Sequence, residues 1–188
     1  MLHAEIARLK RRQAVLAVID IQEKLLPHMW EPQKLVANSV RLVSAASVLG
    51  IPVLVSEQYP KGLGTMPPEL SAVLPPDAFR LEKLEFSAQA VDAFAAELAR
   101  KGRRQVILCG MEAHVCIIQT VLDLLAAGYH TFIAADAVSA HTTLDRDLAF
   151  ERARGAGAIL STTDSIILEL VGKAGTPEFK ATAPLIKY

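Results

Sequence analysis

Apolar positions in this chain come in blocks whose period switches between strand and helix. Val15 to Ile19 is an unbroken apolar run ending in Asp20, as expected of a strand buried on both faces. Leu35, Val36, Val40 and Val43 then recur at helical spacing, with Pro32 suited to the first turn and Gly50 to the stop. Residues 51–55 read as a second strand, with Pro52 held to its start because proline donates no ladder hydrogen bond. The order recurs downstream. A helix over 91–101 closed by Gly102 precedes a strand over 105–109. A helix over 115–127 closed by Gly128 precedes a strand over 130–134. A helix over 144–154 closed by Gly155 precedes a short strand over 158–160. Ser161 to Thr163 offers caps for a last helix over 165–171.

Strands alternating with helices imply an α/β fold in which a mainly parallel sheet is covered on both faces. One domain over residues 1–188 accounts for the pattern, which carries no information on strand order. One segment breaks the rhythm. Residues 56–78 hold Pro60, Pro67, Pro68, Pro75 and Pro76 with Gly62 and Gly64, and connections of that length are commonly lids or binding loops. A surface excursion used in subunit contacts is the other reading. A short strand over 79–81 follows and runs into Lys83.

Composition narrows the function classes. Although 52% of residues are apolar, no run reaches the roughly 18 residues a membrane span needs. Acidic and basic residues balance at 20 each, which points to neither a nucleic-acid nor a membrane partner. A small-molecule substrate is the expectation. Arg8, Lys10, Arg11 and Arg12, with Glu5 nearby and His3 in the same arm, read as a solvated first helix or arm rather than a leader. Cys109 and Cys116 fall on diverging elements, so free thiols and a reducing, cytoplasmic setting are expected. Phe179, Leu185, Ile186 and Tyr188 are too apolar for a free tail and suggest packing on the body or on a second copy, hence a homo-oligomer. His28, His130 and His141 show no ligand spacing, and Asp136 reads as a turn cap.

The stretch from Cys109 to Cys116 carries the chemistry. A strand gives way there to a helix beginning near Val115, placing Cys116 in the first turn. Unpaired N–H groups and the helix dipole at that end lower a thiol pKa from about 8.5 and can hold an oxyanion. Cys116 is thus a candidate nucleophile, with a small buried hydrophobe as the alternative. In open parallel sheets ligands bind beyond the carboxyl ends of the strands. Asp20, Lys83 and Cys116 all fall there. Asp20 could accept the thiol proton, and Lys83 could stabilise both charges.

These residues resemble a known family, the isochorismatase-like cysteine hydrolases. The likeness lies in Val18-Ile19-Asp20-Ile21-Gln22, in Lys83 followed by Phe86-Ser87-Ala88, and in Gly110 through Cys116. It extends over nearly the whole chain and is greatest to the small isochorismatase-domain subfamily, through Glu57-Gln58-Tyr59-Pro60, Asp136-Ala137-Val138-Ser139 and Pro177-Glu178-Phe179-Lys180. The resemblance implies a three-layer α/β/α sandwich with a six-stranded, mainly parallel, Rossmann-like sheet. It also implies a triad of Asp20, Lys83 and Cys116, a non-proline cis peptide between Met111 and Glu112, and an oxyanion hole from the Glu112 and Cys116 N–H groups.

Metal-dependent nicotinamidases of this family carry Asp-x-His after the second strand. Here that place reads Ser56-Glu57-Gln58-Tyr59, so neither a metal there nor nicotinamide as substrate is expected. True isochorismatases, which cleave a vinyl ether, lack the nucleophilic cysteine. The resemblance therefore implies a cysteine hydrolase acting on the C–N bond of a small amide through a thioester, without a cofactor. Gln22, Trp30, Tyr59, Phe86 and His114 are the candidate substrate-lining residues. A catalytically silent binding or scaffold member is the alternative. Redox chemistry at Cys116 lacks a neighbouring resolving cysteine.

Overall fold

Strand β1, Ala14–Ile19, is buried at every position, and its alternate side chains enter two different cores. Leu16 and Val18 pack among Leu42, Val43 and Ile166 on one face. Val15, Ala17 and Ile19 join Phe94, Leu98 and Val121 on the other. Two-sided burial explains why the run is apolar throughout rather than alternating. The computed structural model describes residues 8–186.

Helix α1 spans Pro32–Leu49 and β2 Val53–Gln58, followed by two short helices, α2 Pro60–Leu63 and α3 Pro68–Ser71. Then come β3 Phe79–Lys83, α4 Asp92–Arg100, β4 Gln105–Met111 and a π-helical turn Ala113–Ile117 that leads into α5, Ile118–Ala126. The rest is β5 His130–Ser139, α6 Thr143–Ala156, β6 Ile159–Ser161, α7 Thr163–Val171 and α8 Pro177–Thr182. All strand pairings are parallel, in the order β3-β2-β1-β4-β5-β6. Helices α1 and α7 cover one face; α4, α5 and α6 cover the other. This is the expected three-layer α/β/α sandwich with six strands.

Strand order decides where a site can form. The chain winds outward from β1 to β2 and β3, then returns to place β4 on the opposite side of β1. The crevice at this reversal lies beyond the carboxyl ends of β1 and β4, where open α/β sheets bind ligands. There the two backbones approach closely at Gly110, φ +140°, where a Cβ would stand 2.1 Å from the Ile19 carbonyl oxygen. Only glycine fits that contact.

Several boundaries differ from the sequence reading. Helix α6 runs through Gly155 and stops at Gly157, whose φ of +110° supplies the turn that Gly155 does not. Strand β5 extends to Ser139 across a register shift opposite Leu108 and Gly110, so Asp136 lies inside the strand. It is no turn cap: Oδ1 accepts from the Thr163 N–H at 2.7 Å and Oδ2 from Asn38 Nδ2 at 3.2 Å, tying β5 to α7 and α1. The proline-rich segment folds into the short helices α2 and α3 because its prolines open their first turns.

The described part of the basic cluster is not a helix, but Arg8, Lys10 and Arg12 are exposed, as the arm reading expects. Arg11 docks the arm, donating from Nε to the Leu49 carbonyl at 2.6 Å and pairing with Glu178. His3 and Glu5 lie outside the described residues, as does Tyr188. At the other end Ile186 is buried, with Leu185 packed against the same core. No helix among the described residues is long and apolar enough to cross a membrane.

Candidate active site

Asp20 is the first residue past β1, at φ +53°, a left-handed conformation that a short polar side chain tolerates. That turn sends its carboxylate back over the sheet edge, where it is 1% exposed. Oδ1 accepts from the Ser56 hydroxyl at 2.7 Å and Oδ2 from Lys83 Nζ at 2.6 Å. Lys83 ends β3, opposite Gln58 of β2, and is likewise buried. Its ammonium also donates to Gln58 Oε1 at 2.7 Å, to the Glu85 and Phe86 carbonyls at 3.0 and 3.1 Å, and reaches Cys116 Sγ at 3.7 Å. An ammonium carries three donors, so these five acceptors form a cage around it. The cage holds a buried charge that burial alone would disfavour.

Cys116, 4% exposed, sits in the π-helical turn rather than in the first turn of an α-helix. Glu112, extended at φ −91°, leads into that turn, and its carbonyl accepts from the N–H groups of Val115 and Ile117. Such turns widen the backbone locally and are frequent at functional sites. The peptide between Met111 and Glu112 is cis. The turn does not lower the thiol pKa as its helix-terminal position suggests. Burial and the Asp20 carboxylate push the Cys116 thiol well above its usual range, with the Lys83 ammonium pulling the other way. Desolvation of the thiolate and the Asp20 charge outweigh the Lys83 ammonium here. Cys109, fully buried in β4, is pushed up to about 12 by burial. Both cysteines are free thiols.

A model of the isochorismatase domain matches residues 14–165. The chain belongs to the isochorismatase family. Among relatives, isochorismatase domain-containing protein 2 of Danio rerio is 40% identical, covering 98% of this chain and 92% of its own. Among solved structures, that of the MAR1 ribonuclease from Caenorhabditis elegans superposes with a TM-score of 0.91 at 40% identity, covering 96% of this chain and 92% of that one. YcaC of Escherichia coli, described as an octameric hydrolase of unknown specificity, superposes at 0.91 with 25% identity, covering 98% and 90%. Family membership points to a hydrolase.

Within this isochorismatase domain the other sequence candidates divide. Gln22 is fully buried, and its amide is committed to backbone: Nε2 donates to the Gln58 and Gly64 carbonyls at 3.0 and 2.7 Å, and Oε1 accepts the Gln58 N–H at 2.8 Å. It has no surface to offer a ligand and instead pins the carboxyl end of β2 at Gln58 to the loop at Gly64. Trp30 has two cations over its ring, Arg146 at 4.2 Å and Lys34 at 5.7 Å from the centroid. Tyr59, 51% exposed, lines a cavity of about 430 Å³ with Pro60, Glu82 and Lys83. Phe86 is 52% exposed, and its carbonyl belongs to the Lys83 cage. His114 faces His141 edge to face, 5.4 Å between ring centroids.

Ser56 and Gln58 contact the charged pair, yet the sequence marked Gln58 only as part of a family-like motif and both only as a segment without metal ligands. Their signal was the polar switch at the end of the apolar β2 run. The place of a nicotinamidase metal is otherwise engaged: Glu57 Oε1 accepts the Met66 N–H at 2.7 Å, and Gln58 is bound to Lys83.

Proposed function

We propose that this chain is a cysteine-dependent hydrolase cleaving the C–N bond of a small amide-type substrate through a thioester intermediate. One observation carries the reading: a buried ammonium at 2.6 Å from a carboxylate and 3.7 Å from a thiol, at the sheet's switch point. In this reading Asp20 accepts the Cys116 proton as Sγ attacks the carbonyl carbon. Lys83 offsets the negative charge as it passes from carboxylate to sulfur. The Glu112 and Cys116 N–H groups hold the tetrahedral oxyanion. Asp20 returns the proton to the leaving nitrogen, and the amine departs from the acyl-thioester. Water then gives a proton to Asp20 and adds to the thioester, releasing the acid and restoring the thiol.

A raised thiol suits this sequence of steps. The proton stays on sulfur until a carbonyl is in place, which spares the resting thiol from oxidation. The two free thiols support a reducing, cytoplasmic setting. A nuclease reading draws on the C. elegans relative. Balanced charge, 20 acidic against 20 basic residues, and a buried thiol favour acyl over phosphoryl chemistry.

The test is a panel of small amides, carbamoyl compounds, imides and short RNA. Amine or ammonia release from an amide, with the acyl mass trapped on the Cys116 peptide after acid quench, is the expected result. Turnover that persists in protein alkylated at Cys116, or cleavage of RNA alone, overturns the reading.

We further read the chain as a homo-oligomer. An octameric relative supports this, as does an open apolar groove of about 830 Å³ lined by Leu26, Val36, Val40 and Leu185. Light scattering should return a multiple of 20.3 kDa; the single-chain mass at micromolar concentration removes the idea.

A further inference from the structure

A second group of chemistry-bearing side chains stands at the carboxyl edge of β4 and β5. Glu112 follows β4, His114 lies in the π-helical turn, and His141 lies in the loop between β5 and α6. Sequence spacing leaves this set unassigned because 27 residues separate the two histidines (141 − 114). One ligand-type atom from each of the three lies within 4.8 Å of the other two. His141 Nε2 and Glu112 Oε1 are 2.6 Å apart. Nδ1 of His114 is buried and has no hydrogen-bond partner among the described residues. A buried ring nitrogen in that state costs free energy unless something binds it.

We propose that Glu112, His114 and His141 form a binding site for a divalent transition ion of the zinc class, with two imidazoles and one carboxylate as ligands and a further position open to solvent. Zinc takes this ligand set at about 2.0–2.2 Å, which sets tetrahedral ligand atoms about 3.4 Å apart. The observed separations, from 2.6 Å to at most 4.8 Å, bracket that value. The two loops are fixed relative to each other because Met111 and Ser139, just before them, pair in the sheet.

The site is also reachable. The side chains of His141 and Glu112 are 48% and 17% exposed, and His114 borders a cavity of about 190 Å³ with Ile118, Asp145 and Arg152. Asp145 adds a negative charge close enough to feel both imidazoles, although the Thr142 hydroxyl is its main partner. Arg152 opposes it from α6. The site is separate from the one the nicotinamidase motif would make after β2, and it stands whether or not Cys116 is a nucleophile. Its position gives it leverage on the triad. The Glu112 carboxylate is one of the negative charges facing Cys116, and an ion bound there would cancel it.

The experiment uses the full chain, stripped with EDTA and titrated with cobalt(II), whose visible bands report four-coordination, then competed with zinc. One ion per chain is expected. His141→Gln and His114→Gln should each weaken binding about tenfold or more, as loss of a metal-supporting group does. Cys116→Ala should leave affinity unchanged. Affinity should fall as the solution is acidified, because protons compete with the ion for the same ligand atoms. Circular dichroism checks folding, and His141→Gln, at a half-exposed side chain, keeps the test usable if His114→Gln unfolds. Equal cobalt affinity in wild type and His141→Gln overturns the proposal. So does binding lost in Cys116→Ala, which would put the ion on the triad thiol.

Discussion

Alanine at position 116 is expected to leave a folded protein that has lost turnover of any amide the parent cleaves. The fall should be about 10⁴-fold or more, because losing a covalent nucleophile removes the whole thioester route and not one contact along it. Stability should change by no more than about 1 kcal/mol, since only a sulfur atom leaves a buried site. Steady-state rates with a thermal melt separate the two effects. A variant that melts like the parent and still turns over would refute covalent catalysis at this residue. The pH profile sharpens the case. Because burial and the Asp20 carboxylate raise the thiol, thiolate is scarce in the resting site at neutral pH. Alkylation of Cys116 by iodoacetamide should therefore be slower than that of free cysteine at pH 7 and climb as pH rises. A rate already level at pH 7 would mean a lowered thiol and a preformed thiolate.

Lys83→Met should cost about 3–5 kcal/mol, the usual penalty for leaving one member of a buried ion pair without its partner. Methionine has nearly the shape of the lysine stem, so the loss comes from charge and hydrogen bonds rather than volume. It strands the Asp20 carboxylate, 1% exposed, with the Ser56 hydroxyl at 2.7 Å, and leaves Gln58 Oε1 and the Glu85 and Phe86 carbonyls without their donor. Asp20→Asn on the same background should recover part of the loss. Asparagine accepts the φ of +53° that position 20 requires and removes the stranded charge. Denaturant unfolding of the four proteins in a double-mutant cycle should show coupling of about 1–3 kcal/mol. Additive losses would mean that the 2.6 Å contact contributes nothing as a pair.

Much of the fold is written locally. Strand β1 and the helices α1, α4 and α7 were legible because each apolar block has a period set by its own backbone. Asp20, Lys83 and Cys116 were legible for a related reason: each ends or follows a strand, and parallel strands deliver their carboxyl ends to one edge. What failed did so where the answer depends on a distant neighbour. The direction of the Cys116 shift needed its burial and the nearness of Asp20, neither visible from position in a helix turn. Gln22 looks like a pocket residue until Gln58, 36 positions away, takes up its amide.

By itself, then, the amino-acid order determined the α/β class, most of the elements, the family likeness and the three residues at the sheet edge, because periodicity and turn chemistry act over a few residues. Tertiary structure alone decided the order β3-β2-β1-β4-β5-β6, the cage of acceptors around Lys83 and the meeting of Glu112, His114 and His141. Those outcomes depend on which strands lie side by side, and that is settled by packing two apolar faces of the sheet at once, a constraint no short window of sequence contains.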